Sequence, residues 1–132
     1  MLECSVIILN WNGEAMLRRY LPSVIQYTQL EGVEIVVADN GSTDASLEFL
    51  HSQPVRIIEL GENLGFAEGY NRAIEQVESK YVVLLNSDVE VTSNWLDTLL
   101  NYARAHEDVV AIQPKILSWQ SKEDAIKAGS SE

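Results

Sequence analysis

The residues of this chain best suited to chemistry stand just after short apolar runs: Asn10, Trp11 and Asn12, then Asp39, then Asn63 and Gly65, then Asn86, Ser87 and Asp88. A carboxylate at Asp39 can accept hydrogen bonds from a nucleobase imide or a ribose hydroxyl, as acidic residues at the end of a second strand do in dinucleotide sites. The same side chain can instead cap the Asn40-Gly41 turn that follows it. Asn86 and Asp88 are two residues apart, so on extended backbone they face the same way, and Glu90 joins them if the strand runs on. A hard cation such as Mg²⁺ takes one or two carboxylates together with phosphate oxygens and water, and Asp88 would supply the anionic ligand. The run Asn-Ser-Asp also reads as a plain turn into the next helix.

Other polar and aromatic positions are open to two readings as well. Gly65 either lets a ligand approach the backbone or only makes a turn. Asn71, a poor residue for the middle of a helix, either bonds something particular or faces water. Trp11 could border a base, whereas Trp95 and Trp119 read as packing residues. His51 and His106 fall at predicted helix ends, where solvation is the expectation.

The apolar runs and their spacing indicate what must carry these groups. Ser5–Leu9, Val33–Ala38, Val55–Leu60, Tyr81–Leu85 and Val109–Ile112 read as strands buried on both faces. Between them, Leu17, Tyr20, Leu21, Val24 and Ile25 make one helical stripe, and Phe66, Tyr70, Ala73, Ile74 and Val77 another. Leu47 and Leu50 mark a helix capped by Ser42 or Thr43; Leu96, Leu99, Leu100 and Ala103 mark one capped by Thr92 or Ser93. Pro22 should kink or restart the first helix. Strands alternating with amphipathic helices predict an α/β fold, a Rossmann-like, mostly parallel sheet with helices on both faces. Ligands of such sheets lie beyond the carboxyl ends of the strands, so the polar loops should converge on one edge. Residues 1–117 read as the folded unit and 118–132 as a polar tail.

Composition narrows the partners. The chain has 132 residues, 46% of them hydrophobic, enough for one domain with a core. Its formal charge of -11 repels nucleic acid and anionic lipid. A phosphorylated ligand would need a cation or main-chain donors to offset that charge. Cys4 is the only cysteine, so no intrachain disulfide can form. No apolar run nears the roughly 20 residues of a membrane span, and the expectation is a soluble, cytoplasmic protein.

Four segments together carry a family resemblance: SVIILNWNG, VVADNGSTDAS, NLGFAEGYNRAI and YVVLLNSDVEV. In this order they resemble glycosyltransferase family 2, the inverting enzymes with the GT-A fold. The NWN and LLNSD variants look most like the branch with the rhamnosyltransferases. The resemblance implies that Asn10 and Trp11 line a nucleoside pocket and that Asp39 contacts the base or ribose. It implies that Asp88 holds Mg²⁺ or Mn²⁺ beneath the diphosphate, with Asn86 where the first carboxylate of a D-x-D motif often stands. The implied donor is a nucleoside-diphosphate sugar, dTDP- or UDP-linked, and the implied acceptor a glycan or lipid-linked acceptor. The full-length enzyme would work at the inner face of a membrane. The family's general base and acceptor region lie beyond the D-x-D segment, so no catalytic residue is assigned. The chain alone is expected to bind nucleotide weakly without transferring sugar, and it could form a homodimer through an exposed apolar face.

Rival classes fit less well. A receiver-type signalling domain needs an acidic pair where Asn10-Trp11-Asn12-Gly13 stands. A sugar nucleotidyltransferase needs a basic, glycine-rich first loop, yet no Lys or Arg precedes Arg18. A non-catalytic α/β binding module shares the pattern and differs in failing to bind nucleotide.

Overall fold

A computed structural model describes residues 1–106 and the backbone of 111–112. The polar tail, Trp119 and the first part of the expected fifth strand lie outside the described residues. Among the described residues five strands alternate with four helices: β1 (Leu2–Asn10), α1 (Glu14–Gln26), β2 (Val33–Asp39), α2 (Ser46–His51), β3 (Arg56–Glu59), α3 (Phe66–Glu75), β4 (Ser79–Asn86), α4 (Trp95–Ala105) and β5 (Ala111–Ile112). Every strand pair is parallel and the order is β3-β2-β1-β4-β5. The chain builds outward from β1 to β3, then returns past β1 to start β4. The switch point where this order reverses lies between β1 and β4, where doubly wound sheets open a crevice for ligands.

The two-residue period of a strand explains how one sheet serves two cores. From β1, Cys4, Val6 and Ile8 join Leu17, Leu21 and Val24 of α1, Leu50 of α2, and Leu96, Leu100 and Ala103 of α4. Ile7 points the other way and meets Val36, Ala38, Tyr70 and Ala73, so α3 covers the opposite face. Tyr81, Val83 and Leu85 of β4 belong to the first core and Val82 to the second, by the same alternation. These side chains sit where near-continuous apolar strands require them.

Several local expectations are corrected. α1 continues through Pro22 without a restart, the proline lying on its exposed side. Ser42 and Thr43 do not cap α2, which begins at Ser46 behind Ala45. Asp44 caps instead: its Oδ1 accepts from the Ser46 N–H at 2.9 Å and its Oδ2 from the Glu14 N–H, the first of α1, at 3.2 Å. Neither Thr92 nor Ser93 caps α4 through its side chain; Asn94 takes the cap position in the left-handed region, at φ 64°. Phe66, expected on the inward stripe of α3, is 61% exposed, because it opens the helix at its free end. Among the described residues, no helix is long and apolar enough to cross a membrane.

Candidate functional site

Parallel register brings three strand ends together. Asn10 pairs with Asp39 across β1 and β2, while Leu9 pairs with Asn86 across β1 and β4. The Asp39 carboxylate is 2% exposed and held from two sides. Its Oδ1 accepts from Asn10 Nδ2 at 3.0 Å and from Ser42 Oγ at 2.7 Å, and its Oδ2 accepts from the Ser42 N–H at 2.9 Å. The turn-capping reading of Asp39 is therefore realised. A carboxylate offers about four acceptor positions, so one remains on Oδ2.

The loop after β1 is stitched to the loop after β2 by Asn12, which sits at φ 50°. Its backbone N–H donates to Ser42 Oγ at 2.8 Å, and its Oδ1 accepts from the N–H groups of Thr43 and Asp44 at 2.7 and 3.2 Å. The loop after β3 is attached by Asn40, which sequence reasoning passed over as part of a turn. Asn40 is 2% exposed. Its Oδ1 accepts from the Leu64 N–H at 2.9 Å, and its Nδ2 donates to the Gly65 carbonyl at 3.1 Å and to Asn63 Oδ1 at 3.3 Å. Asn63 Oδ1 also accepts from the Gly65 N–H at 2.9 Å.

Two glycines permit close approaches here, Gly41 between the second and third loops and Gly69 between α3 and β1. A Cβ at Gly41 would lie 2.7 Å from the Glu62 backbone, and one at Gly69 would lie 2.9 Å from Leu9 Cδ1. Burial at an Asn between two strands is the signal that could have flagged Asn40, but local sequence shows only the turn-forming Asn-Gly pair.

The fourth strand end is built differently. β4 stops at Asn86 and the chain turns at Ser87 and Asp88, so the same-side argument from extended backbone does not apply to Asn86 and Asp88, and Glu90 is not carried along by a continuing strand. Asn86 is half-buried, while Asp88 and Glu90 are exposed. Tyr70 of α3 packs beneath this turn, donating its hydroxyl to the Leu85 carbonyl at 3.0 Å. Burial pushes the Tyr70 hydroxyl up to about 12, against the pull of a backbone hydrogen bond at Leu9, and the charge of Asp88 adds to the rise.

Trp11 is 54% exposed at the end of β1, and Phe66 lies edge-on to Tyr70 with ring centroids 4.9 Å apart. Asn71 is exposed on α3 and makes none of the hydrogen bonds between loops. His51 and His106 are exposed at helix ends, as expected. Trp95 packs against the larger core and donates its indole N–H to Thr28 Oγ1 at 3.0 Å.

The donor set decides what kind of cation could bind. Among the described residues there is no cluster of three or more His, Cys, Asp or Glu side chains. Asp88, with Asn86 and Glu90 nearby in sequence, is therefore no closed cage. Such a set fits Mg²⁺ or Mn²⁺ only where phosphate oxygens and waters complete the shell, which is the usual habit of Mg²⁺.

Comparison with known proteins gives a consistent result. The model of the family described as glycosyl transferase family 2 matches residues 5–126. The N-acetylglucosaminyl-diphospho-decaprenol L-rhamnosyltransferase of Mycobacterium tuberculosis is 29% identical over 124 residues, covering 84% of this chain and 40% of that protein. The crystal structure of Staphylococcus aureus TarS 1–349 in complex with UDP-GlcNAc superposes with a TM-score of 0.68 at 24% identity, over 80% of this chain and 32% of TarS. The mannosyltransferase PcManGT of Pyrobaculum calidifontis, in complex with GDP-Man and Mn²⁺, also reaches 0.68, at 20% identity over 76% of this chain and 32% of its own. The chain spans about a third of the length of the curated relatives it matches first, 35% and 28%.

Proposed function

The chain belongs to glycosyl transferase family 2, and we propose that its strand-end loops hold the nucleoside diphosphate of a sugar donor. One observation carries this reading: Asp39 is fixed at the end of β2, one strand from the β1 end and two from the Asn86-Ser87-Asp88 turn. In the proposal the remaining acceptor position of Asp39 takes a base imide or ribose hydroxyl, and Trp11 borders the base. Asn12, Asn63 and Gly65 hold the loops that frame the nucleoside, Asn86 faces the diphosphate, and Asn71 remains a secondary contact on α3. Asp88 would hold a Mg²⁺ or Mn²⁺, and a bound cation would neutralise the departing diphosphate. The Mn²⁺ and GDP-Man in PcManGT and the UDP-GlcNAc in TarS support donor and metal together.

Transfer with inversion to a glycan or lipid-linked acceptor is part of the same proposal, its lipid-linked acceptor supported by the printed name of the mycobacterial relative. It requires a base to take the acceptor proton, a role assigned to none of the described residues. The chain alone is proposed to bind donor without transferring sugar. Pairing of two chains through exposed apolar surface belongs to this reading too, and light scattering would reveal it.

Titration calorimetry with UDP and dTDP, with and without Mn²⁺, tests the site. Asp88→Asn should abolish the metal-dependent part of the affinity, and Asp39→Asn should weaken nucleotide binding with or without metal. Unchanged affinity in both variants would remove the assignment.

A further inference from the structure

The side chain of Asn10 is only 1% exposed, and its two ends are in different situations. Both amide hydrogens are used, Nδ2 donating to Asp39 Oδ1 at 3.0 Å and to Ser42 Oγ at 3.2 Å. A flipped amide would set its oxygen against the carboxylate, so the orientation is fixed by its neighbours. Oδ1 is consequently buried with no hydrogen-bond partner among the described residues. Buried polar atoms are almost always paired, and an orphan invites a specific explanation.

Gly13 supplies a clue to what completes it. A Cβ on Gly13 would lie 2.5 Å from Asn10 Oδ1 and 3.9 Å from Ser87 Oγ. A side chain at residue 13 would therefore collide with Asn10 Oδ1, at a point that also lies within van der Waals reach of Ser87 Oγ. Backbone conformation does not demand glycine there, since φ is -107° and ψ 34°. Ser87 is half-buried, and its hydroxyl makes no hydrogen bond among the described residues. A hydroxyl rotates freely to donate, whereas a carbonyl oxygen can only accept.

We propose that Asn10 is a positioning residue joining the two ends of the donor site: Nδ2 orients Asp39, and Oδ1 receives the Ser87 hydroxyl when a nucleoside diphosphate draws the Asn86-Ser87-Asp88 turn inward. The inference rests on the donor-binding reading above. Asn10 touches no ligand in this scheme and acts through its neighbours. Glycine at residue 13 leaves Oδ1 uncrowded and so able to accept. Binding at the nucleoside end and at the diphosphate end are coupled through a single amide.

The experiment measures Kd for uridine and for UDP with Mn²⁺ on the 132-residue chain, with thermal melting to confirm that each variant is folded. Ser87→Ala should weaken UDP by about 5- to 10-fold, the loss of one hydrogen bond, while leaving uridine unchanged. Asn10→Ala should weaken both ligands, and the double variant should bind UDP no more weakly than Asn10→Ala. Gly13→Ala should reproduce Asn10→Ala, because the methyl displaces Oδ1.

Losses that simply add in the double variant, or wild-type binding by Gly13→Ala, overturn the coupling while leaving the donor-binding reading intact. Failure of the unmutated chain to bind UDP overturns both. Should Asn10→Ala not fold, Ser87→Ala and Gly13→Ala decide the matter alone, since Ser87 lies on a half-buried turn.

Discussion

Asn10 and Asp39 are register partners at the ends of adjacent parallel strands, and the amide of one donates to the carboxylate of the other at 3.0 Å while both stay buried. Asn10→Asp retains the shape and reverses the sense of that contact. Two buried carboxylates would then meet, at a cost of about 3 kcal/mol near neutral pH. One of them would bind a proton more readily when folded than when unfolded, so the lost stability should return as pH falls towards roughly 5. Urea unfolding at pH 7.5 and pH 5 checks both parts; equal losses at the two pH values would count against a carboxylate pair.

Asp44 should matter more than its exposure suggests. Its carboxylate caps α1 and α2 together. Asp44→Ala should cost about 1–2 kcal/mol in urea unfolding, the loss of a cap shared by two helices. Burial works against the charged form of Asp44, but donors from Ser46 and Glu14 outweigh it and hold the group below the usual Asp value. A depressed folded value means that this contribution is complete above the unfolded value, near 3.9, and fades as pH falls through the folded one. The difference between wild type and Asp44→Asn should therefore shrink below about pH 4.

Gly41 and Gly61 allow a paired comparison. Both have positive φ, 81° and 86°, yet a Cβ at Gly41 meets the Glu62 backbone at 2.7 Å and one at Gly61 meets nothing within 4 Å. Gly61→Ala should cost about 1 kcal/mol, for backbone strain alone. Gly41→Ala should cost clearly more and should also weaken UDP binding, since the third loop can no longer lie against the second. Equal losses in the two variants would show that the close contact contributes nothing.

Cys4 should be chemically silent. The thiol is fully buried in the larger core, and burial, helped by the charge of Glu3, pushes it up to about 12. The thiolate is the reactive form. Ellman's reagent at pH 8 should modify the folded chain far more slowly than the chain in 6 M guanidinium. Rapid modification of the folded protein would contradict the packing around β1.

The layer order and the strand-end loops were legible in the sequence because a sheet covered on both faces needs continuous apolar runs, and β1, β2 and β4 show them plainly. Asp39, Asn12 and Asn63 stood out as polar residues just after such runs. Their bonding did not, because hydrogen bonds such as Asn12 to Thr43 join residues about thirty positions apart. Asn40 was hidden for the same reason, being a turn former in sequence and a buried clamp in space. At the end of β4 two readings stood side by side, extended backbone and a plain turn, and it is the turn at Ser87 and Asp88 that the chain adopts. The helix caps were missed because Asp44 reaches two helices, while cap rules consider one at a time.

Since β1 is hydrogen-bonded along both edges, Asp39 on β2 and Asn86 on β4 are held two ladder steps apart, roughly 10 Å. The sheet thereby acts as a ruler. Any molecule that touches both ends must bridge that separation, less the reach of the two side chains. A shorter one can occupy either end but not both, and no adjustment of the surface loops alters the span without tearing the ladder.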